Sequence, residues 1–433
     1  MSRATNAGRL ASKQVVILGD PDQGREHGSV RRTTREVHVP AHLLRSLRTV
    51  IPGCAAALLL VSVAACEDRT PEQTIVADSA GIRVVTNAAP DIPLDWTFTR
   101  TLTLGGLDGG PESFYSVNER TVGVDDASRI YVLDTDGHRL LVFADDGSLL
   151  RTLGREGEGP GEIAWPIRLN VRPDGTALIE DIGRGRVHGF DPEGVPVETD
   201  EELVPNTRRI WGGEGHYSAI STIEEDQTLY RFLQVVGADT TELVRLTAPA
   251  TGVIELESCG MALSGMSPLF GPNIVWDAWR EQAVARVGPT YQVDVFAAGT
   301  RVARYRRSVE PVKADRDLAK RELGEGMRMM SSAGVRECAW DEVIEKRGFS
   351  DVVPAIRSLR VAPDGTIWVS RGGPRPEPTP TDVLAADGTY IGTLPPEAPF
   401  PIGFLPDGRV LTTETDELDV VRLVVYRIEE VPL

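Results

Sequence analysis

The stretch Arg129-Ile-Tyr-Val-Leu-Asp134, Asp136-Gly137, Arg139-Leu-Leu-Val-Phe143, Asp146-Gly147, Ser148-Leu-Leu-Arg-Thr-Leu153 reads as three short strands and two turns. Asp-Gly between apolar runs is a hairpin signal, because glycine accepts the positive φ that tight turns need. With Thr121-Val-Gly-Val124 ahead of it, the unit has four strands. Its skeleton recurs: Asp134-x4-Arg139-x3-Phe143 returns as Asp181-x4-Arg186-x3-Phe190, with Val124 and Gly147 matched by Val171 and Gly194 at the same 47-residue offset. Self-similarity at such a period marks a repeat architecture, and four short antiparallel strands per repeat describe a propeller blade.

Working outward, Pro-Asp-Gly ends an inner strand at Pro173, Pro363 and Pro406, and an apolar run follows each time. Asp387-Gly388 is a further turn in a fifth blade. Two middle blades are degenerate, over about 208–246 and 273–305. Val420–Ile428 supplies a last strand, and Trp96–Leu104, alternating at period two, closes the ring beside it. The expected fold is all-β: a six-bladed β-propeller of four-stranded antiparallel blades over 81–433.

Residues 312–348 break this pattern. Ala314–Leu323 and Trp340–Lys346 are rich in helix formers, so a small helical insertion is expected between the fourth and fifth blades. It either packs over an exposed edge or forms a lid across the channel, with Met327, Met329 and Met330 as adaptable apolar surface.

The Asp-x4-Arg-x3-Phe unit after Ile-Tyr-Val resembles the NHL repeat. Gly157-Glu-Gly-Pro-Gly-Glu-Ile163 resembles the inter-blade loop of NHL-type six-bladed propellers. The resemblance is clear over 100–195, recognisable over 355–430 and poor between. It implies the fold and says little of function, since such propellers include binding proteins, lyases and lactonases alike. It also implies that the Asp and Arg pin the hairpin by ion pairing rather than forming a site.

The chain has 433 residues and a net charge of −18; without the nine basic and four acidic residues of 1–66, the remainder carries −23. So acidic a protein lacks the basic face that phosphate backbones require, which argues against nucleic acid as a partner. Arg45 and Arg48 precede a short apolar run ending Val63-Ala-Ala-Cys66, which reads as a secretory signal. This resembles the bacterial lipobox and implies a lipoprotein acylated on Cys66, held at a membrane facing the periplasm or cell surface. A plain secreted protein is the alternative. Residues 67–80 would be a flexible tether. The charged, patternless 1–36 is unusual before a signal and suggests translation beginning near Val37 or Val39. Cys259 and Cys338 either pair, in a compartment that permits it, or remain buried thiols.

No nucleophile, zinc or phosphate-loop motif is present, so no catalytic residue and no metal ligand is assigned. His138 and His188 suit surface or packing roles. Calcium is the one cofactor raised, through Asp125, Asp126 and Asn170, whose spacing matches no metal motif. One constellation stands out. Arg168 and Arg208 lie six residues before the turn positions Asp174 and Glu214, and Arg120 and Arg357 lie seven before Ala127 and Asp364. At one end of several inner strands they would converge on the channel mouth and suit a carboxylate or phosphate. Alternatively, each pairs with a nearby acid such as Glu112 or Glu162. Trp165 joins them as a stacking candidate; Trp276 and Trp279 suit either stacking or the blade core. The function read from this is a membrane-tethered extracytoplasmic binding or scaffold propeller for a small anionic, glycan or peptide ligand. The alternative is an axial-site hydrolase or lyase, with or without a metal.

Overall fold

A computed structural model describes residues 74–429 except 107–109, 111, 115–116, 158, 160, 200–202, 204–207, 213–214, 225–226, 251, 264–265, 325–326, 332–333, 374–376 and 418–419. The leader with Cys66, the tether up to residue 73, the Gly213-Glu214 turn and the side chains of Met329 and Met330 lie outside the described residues.

Six four-stranded antiparallel blades form the ring. Blade 1 is Val122–Val124, Ile130–Asp134, Arg139–Phe143 and Leu149–Leu153; blade 2 is Pro166–Val171, Ala177–Asp181, Arg186–Phe190 and Pro196–Val197. Blade 3 runs from Arg209–Gly212 to Asp239–Pro249, blade 4 from Ile274–Trp279 to Thr300–Arg307, and blade 5 from Ile356–Val361 to Tyr390–Leu394. Blade 6 takes Gly403–Phe404, Val410–Thr415 and Val421–Glu429 from one end of the chain and Thr97–Leu104 from the other, paired antiparallel as expected.

The blades read as apolar runs because each is covered on both faces. Along Ile130–Asp134 every side chain is buried. Ile130 and Val132 pack with Leu411, Leu423 and Val425 of blade 6. Tyr131 and Leu133 pack the other way, with Leu169, Ile179 and Phe190 of blade 2. Similar apolar clusters join blades 3 and 4, 4 and 5, and 5 and 6. The contact of blade 2 with blade 3 is polar instead: Arg209 of blade 3 bonds Glu180 at 3.1 Å and gives its backbone N–H to Asn170.

Turn chemistry follows the sequence with one exception. Gly175, Gly365 and Gly408 of the Pro-Asp-Gly turns sit at φ +93°, +88° and +89°, where a side chain would be strained. In the Asp136-Gly137-His138 turn the left-handed position falls on His138, at φ 52°. The Asp134 carboxylate accepts from Gly137 N–H and from Arg139 Nε at 3.1 Å, pinning that hairpin. In the second copy His188 takes the pairing role, with Nε2 2.9 Å from Asp181, while Arg186 is exposed. The repeat therefore keeps the aspartate and exchanges its partner.

Two regions differ from expectation. Residue 74 already begins a strand: Thr74–Ser79 pairs with Ile82–Asn87, which lies parallel to Thr300–Arg307 on the outer edge of blade 4. The flexible tether expected to reach residue 80 is thus ordered from 74, because blade 4 offers a free edge for it to join. The insertion is more than a helical pair. Helix α1 (Arg316–Leu323), N-capped by Asp315, and helix α2 (Trp340–Arg347) flank a hairpin of Met327–Ser331 and Gly334–Cys338. A second hairpin, Ile254–Leu256 with Met261–Leu263, comes from the connection between blades 3 and 4.

Together they form a cap with its own core of Leu256, Met261, Met327 and Val343. A disulfide between Cys259 and Cys338 ties the two connections. No helix among the described residues is long and apolar enough to cross a membrane. Because the bridge closes a separation of 79 residues, replacing both cysteines by serine should lower unfolding free energy by about 2–4 kcal/mol. Thermal unfolding of the double variant, matched by wild type under reductant, checks this.

Candidate functional site

Three of the four arginines expected at the channel converge. Arg120, Arg168 and Arg208 gather electrostatically with Glu119, which forms an ion pair with Arg360 of blade 5. Arg360 is the blade 5 contributor to this cluster, and Arg357 is not. The reason is a bulge in blade 5 between Ile356 and Ser358, matched by one between Pro166 and Arg168 in blade 2. Ser358, paired with Ser370, occupies the register that Arg168, paired with Glu180, holds in blade 2. Arg357 falls in the bulge and leaves the row.

The arginines at the axis are largely paired, though not with Glu112 or Glu162. Arg208 lies 3.1 Å from Asp277 and Arg168 3.7 Å from Glu180, while Glu162 engages Arg155. Arg360 also donates to the carbonyls of Ile402 and Leu359, and Asp277 accepts from Val361 N–H. Burial lowers the Arg168 guanidinium to about 10 against the pull of Glu180. Glu119 is ringed by protein yet 52% exposed, and Arg360 foremost, with Arg208 and Arg120, holds its carboxyl down at about 2. The axis is a charged lattice that cross-links blades 1, 2, 3, 4 and 5.

Other candidates separate clearly. Trp165 stands 55% exposed just before the inner strand of blade 2, its backbone N–H held by Asp181. Trp276 is buried against Phe232, ring centroids 4.9 Å apart, with the Arg208 guanidinium over its face. Asp125 spends its carboxylate on its own turn, on Arg129 and on the Tyr131 hydroxyl. Asn170 is committed to Glu180 and Arg209. Among the described residues no three His, Cys, Asp or Glu side chains gather as a metal site. His188 sits behind Asp181, its imidazole pushed below its ordinary value by burial against the pull of that carboxylate.

Open space lies elsewhere: one cavity, of about 560 Å³, lies between blades 5 and 6 beside Trp96, Trp368 and Arg409, and another lies under the cap. A cavity of about 260 Å³ is bounded by the start of the inner strands of blades 4 and 5 and by the cap. Its charged lining is Arg286 of blade 4, Arg347 of α2, Arg357 of blade 5 and Glu322 of α1. Arg286 is 1% exposed. Its Nη1 donates to the carbonyls of Asn273 and Gly288, and Nη2 to Asn273 Oδ1 at 2.7 Å. Burial alone brings it to about 10, so it is a cation at neutral pH. Arg347 donates from Nε to the Ser267 carbonyl. Arg357 thus reaches a polar site, but not the one expected of it. Arg286 and Arg347 carried no sequence signal: they lie 61 positions apart and meet only because the cap folds back.

With the geometry in place, the chain can be set beside known proteins. No protein-family model and no curated protein matches it. Solved structures similar to it include a candidate exported protein of Bacteroides fragilis, 13% identical, covering 80% of this chain and 100% of that one, TM-score 0.49. A member of the DUF4221 family from Bacteroides vulgatus is 10% identical over 78% of this chain and 99% of its own, TM-score 0.45. Virginiamycin B lyase from Staphylococcus aureus is 11% identical over 76% and 99%, TM-score 0.33.

The axial lattice carries a pH signature. The Glu119 carboxyl is depressed in the folded state, to about 2 from an ordinary 4.5. The stability it contributes is complete above 4.5 and is lost as pH falls through that window. Wild type should therefore lose stability between pH 4.5 and 2 more steeply than Glu119→Gln. Urea midpoints across that range measure the difference, and parallel curves would exclude Glu119 as a contributor.

Proposed function

We propose that this chain is an extracytoplasmic binding propeller, anchored to a membrane through an acylated Cys66, that takes a small ligand in the cavity under its cap. One observation carries the reading. Two long connections, joined by a disulfide and sharing a separate small core, roof a space of about 260 Å³ rather than filling it. Cap side chains that served packing alone would be expected to close that space, as those of the inter-blade clusters do. The cavity approaches the smallest usual ligand pockets, ~300 Å³, and its exposed wall is mainly polar, with Arg286, Arg347, Arg357 and Glu322 among it. At the axis Arg168, Arg208 and Arg360 each face a carboxylate, which favours the cap cavity over the axis as the ligand site. The signal and lipobox resemblance at 45–66 support export and anchoring.

Thermal-shift screening of the mature domain against sugar acids, neutral sugars, phosphate and short peptides tests the binding reading. A reproducible rise with one class, abolished by a bulky Gly373→Trp substitution at the cavity wall, is the expected result. No shift with any class would sink it. Radiolabelled palmitate should enter the wild-type protein in cells and not Cys66→Ala; equal labelling would remove the anchor.

A further inference from the structure

Buried arginines in this protein follow a rule with one exception. Five arginines are buried among the described residues: Arg168, Arg209, Arg286, Arg307 and Arg360. Arg168 and Arg209 face Glu180, Arg307 pairs with Asp382 and Asp91, and Arg360 with Glu119. Arg286 meets only oxygens of uncharged groups, those of Asn273 and Gly288. A buried cation with no counter-ion is costly. The chain holds 64 acidic residues against 46 basic ones, so the missing partner does not reflect a shortage of carboxylates.

The donors left over have a definite shape. Of the five N–H groups on a guanidinium, Arg286 gives two from Nη1 and one from Nη2. Its Nε has no acceptor in the structure. The remaining Nε–H and Nη2–H lie along one edge of the fork, the edge that two oxygens of a carboxylate or phosphate engage side by side. Nη1 of Arg347, which also lines the cavity, likewise has no acceptor. The walls carry three guanidiniums and one carboxylate, that of Glu322.

We infer that the cavity under the cap binds a small oxyanion, a carboxylate or phosphate group, between Arg286 of the propeller and Arg347 of α2. This rests on the reading that the cavity is the ligand site, and gives that site its ligand class. The ligand then bridges cap and ring, so its binding fixes α2 over blade 4. Against so acidic a protein surface, selection of an anion comes from the local pair of arginines and not from long-range attraction.

Isothermal titration of the disulfide-intact domain, at constant ionic strength, with inorganic phosphate, succinate, glucuronate and glucose separates the outcomes. Wild type is expected to bind at least one of the three oxyanions and not glucose. Arg286→Met and Arg347→Gln should each weaken that binding by at least about tenfold, the loss of one charge-assisted hydrogen bond. Arg286→Met in the empty protein should melt no lower than wild type, since it removes an unpaired buried charge; if it fails to fold, Arg347→Gln decides. Preference between phosphate and the carboxylates identifies the group. Oxyanion binding unchanged in both variants overturns the inference. Binding of glucose alone, or silence from all four, overturns it, while the binding reading falls only if the peptides of the thermal-shift screen are silent as well.

Discussion

The pairing of Thr97–Leu104 with Val421–Glu429 joins the two ends of the ring: Thr101 Oγ1 donates to the carbonyl of Val425, 324 residues away. Every blade depends on that closure, because each packs between two neighbours in the ring. Ile130 and Val132 face blade 6 while Tyr131 and Leu133 face blade 2, so opening the ring would strip one face of blade 1. At ~25 cal/mol per Å² of apolar surface, such a loss is far larger than any single ion pair. The entropy of closing so long a loop grows only logarithmically with its length, so the apolar gain readily exceeds it.

Within the closed ring, charge is arranged in two ways. At the axis, arginines and carboxylates meet in pairs, between blades in Arg208–Asp277 and Arg360–Glu119 and within blade 2 in Arg168–Glu180, and the blade 2–blade 3 contact uses the same device through Glu180. Buried pairs of this kind contribute registry as much as stability, since breaking one leaves a charge behind. Under the cap the arrangement differs. Arg286 is buried without an acid, beside space that the cap encloses and does not fill. The fold therefore separates buried arginines that face a carboxylate from Arg286, which faces none, and beside Arg286 an anionic ligand changes the energy most.

Much of the ring was legible in the chain. The Asp-Gly and Pro-Asp-Gly turns and the duplicated Asp134 and Asp181 hairpins marked blades directly, because turn geometry is a local property of two or three residues. The closing strand Trp96–Leu104 was legible from its alternation. The arginine row was legible in type but not in register: Ser358 stands in the register of Arg168, Arg357 falls in the bulge one residue earlier, and Arg360 joins the cluster from two residues further on. Bulges depend on how neighbouring strands pair, which local spacing does not encode. Asp181 kept its role while Arg186 gave its own to His188, a substitution that only burial reveals. The second hairpin of the cap and the pairing of Arg286 with Arg347 in one cavity left no trace at all, since both arise from connections between different blades that meet only in the folded chain.

The central claim is that the cap and the propeller form one ligand site. Hydrogen exchange of the intact protein, with and without saturating inorganic phosphate or succinate, tests it most directly, because a ligand held between Arg286 and Arg347 must slow opening of the elements that carry them. The account expects added protection in 340–348, 267–274 and 283–288, with the closing strands 97–104 and 421–429 unchanged. Protection absent from these segments, or spread evenly over the ring, would contradict it.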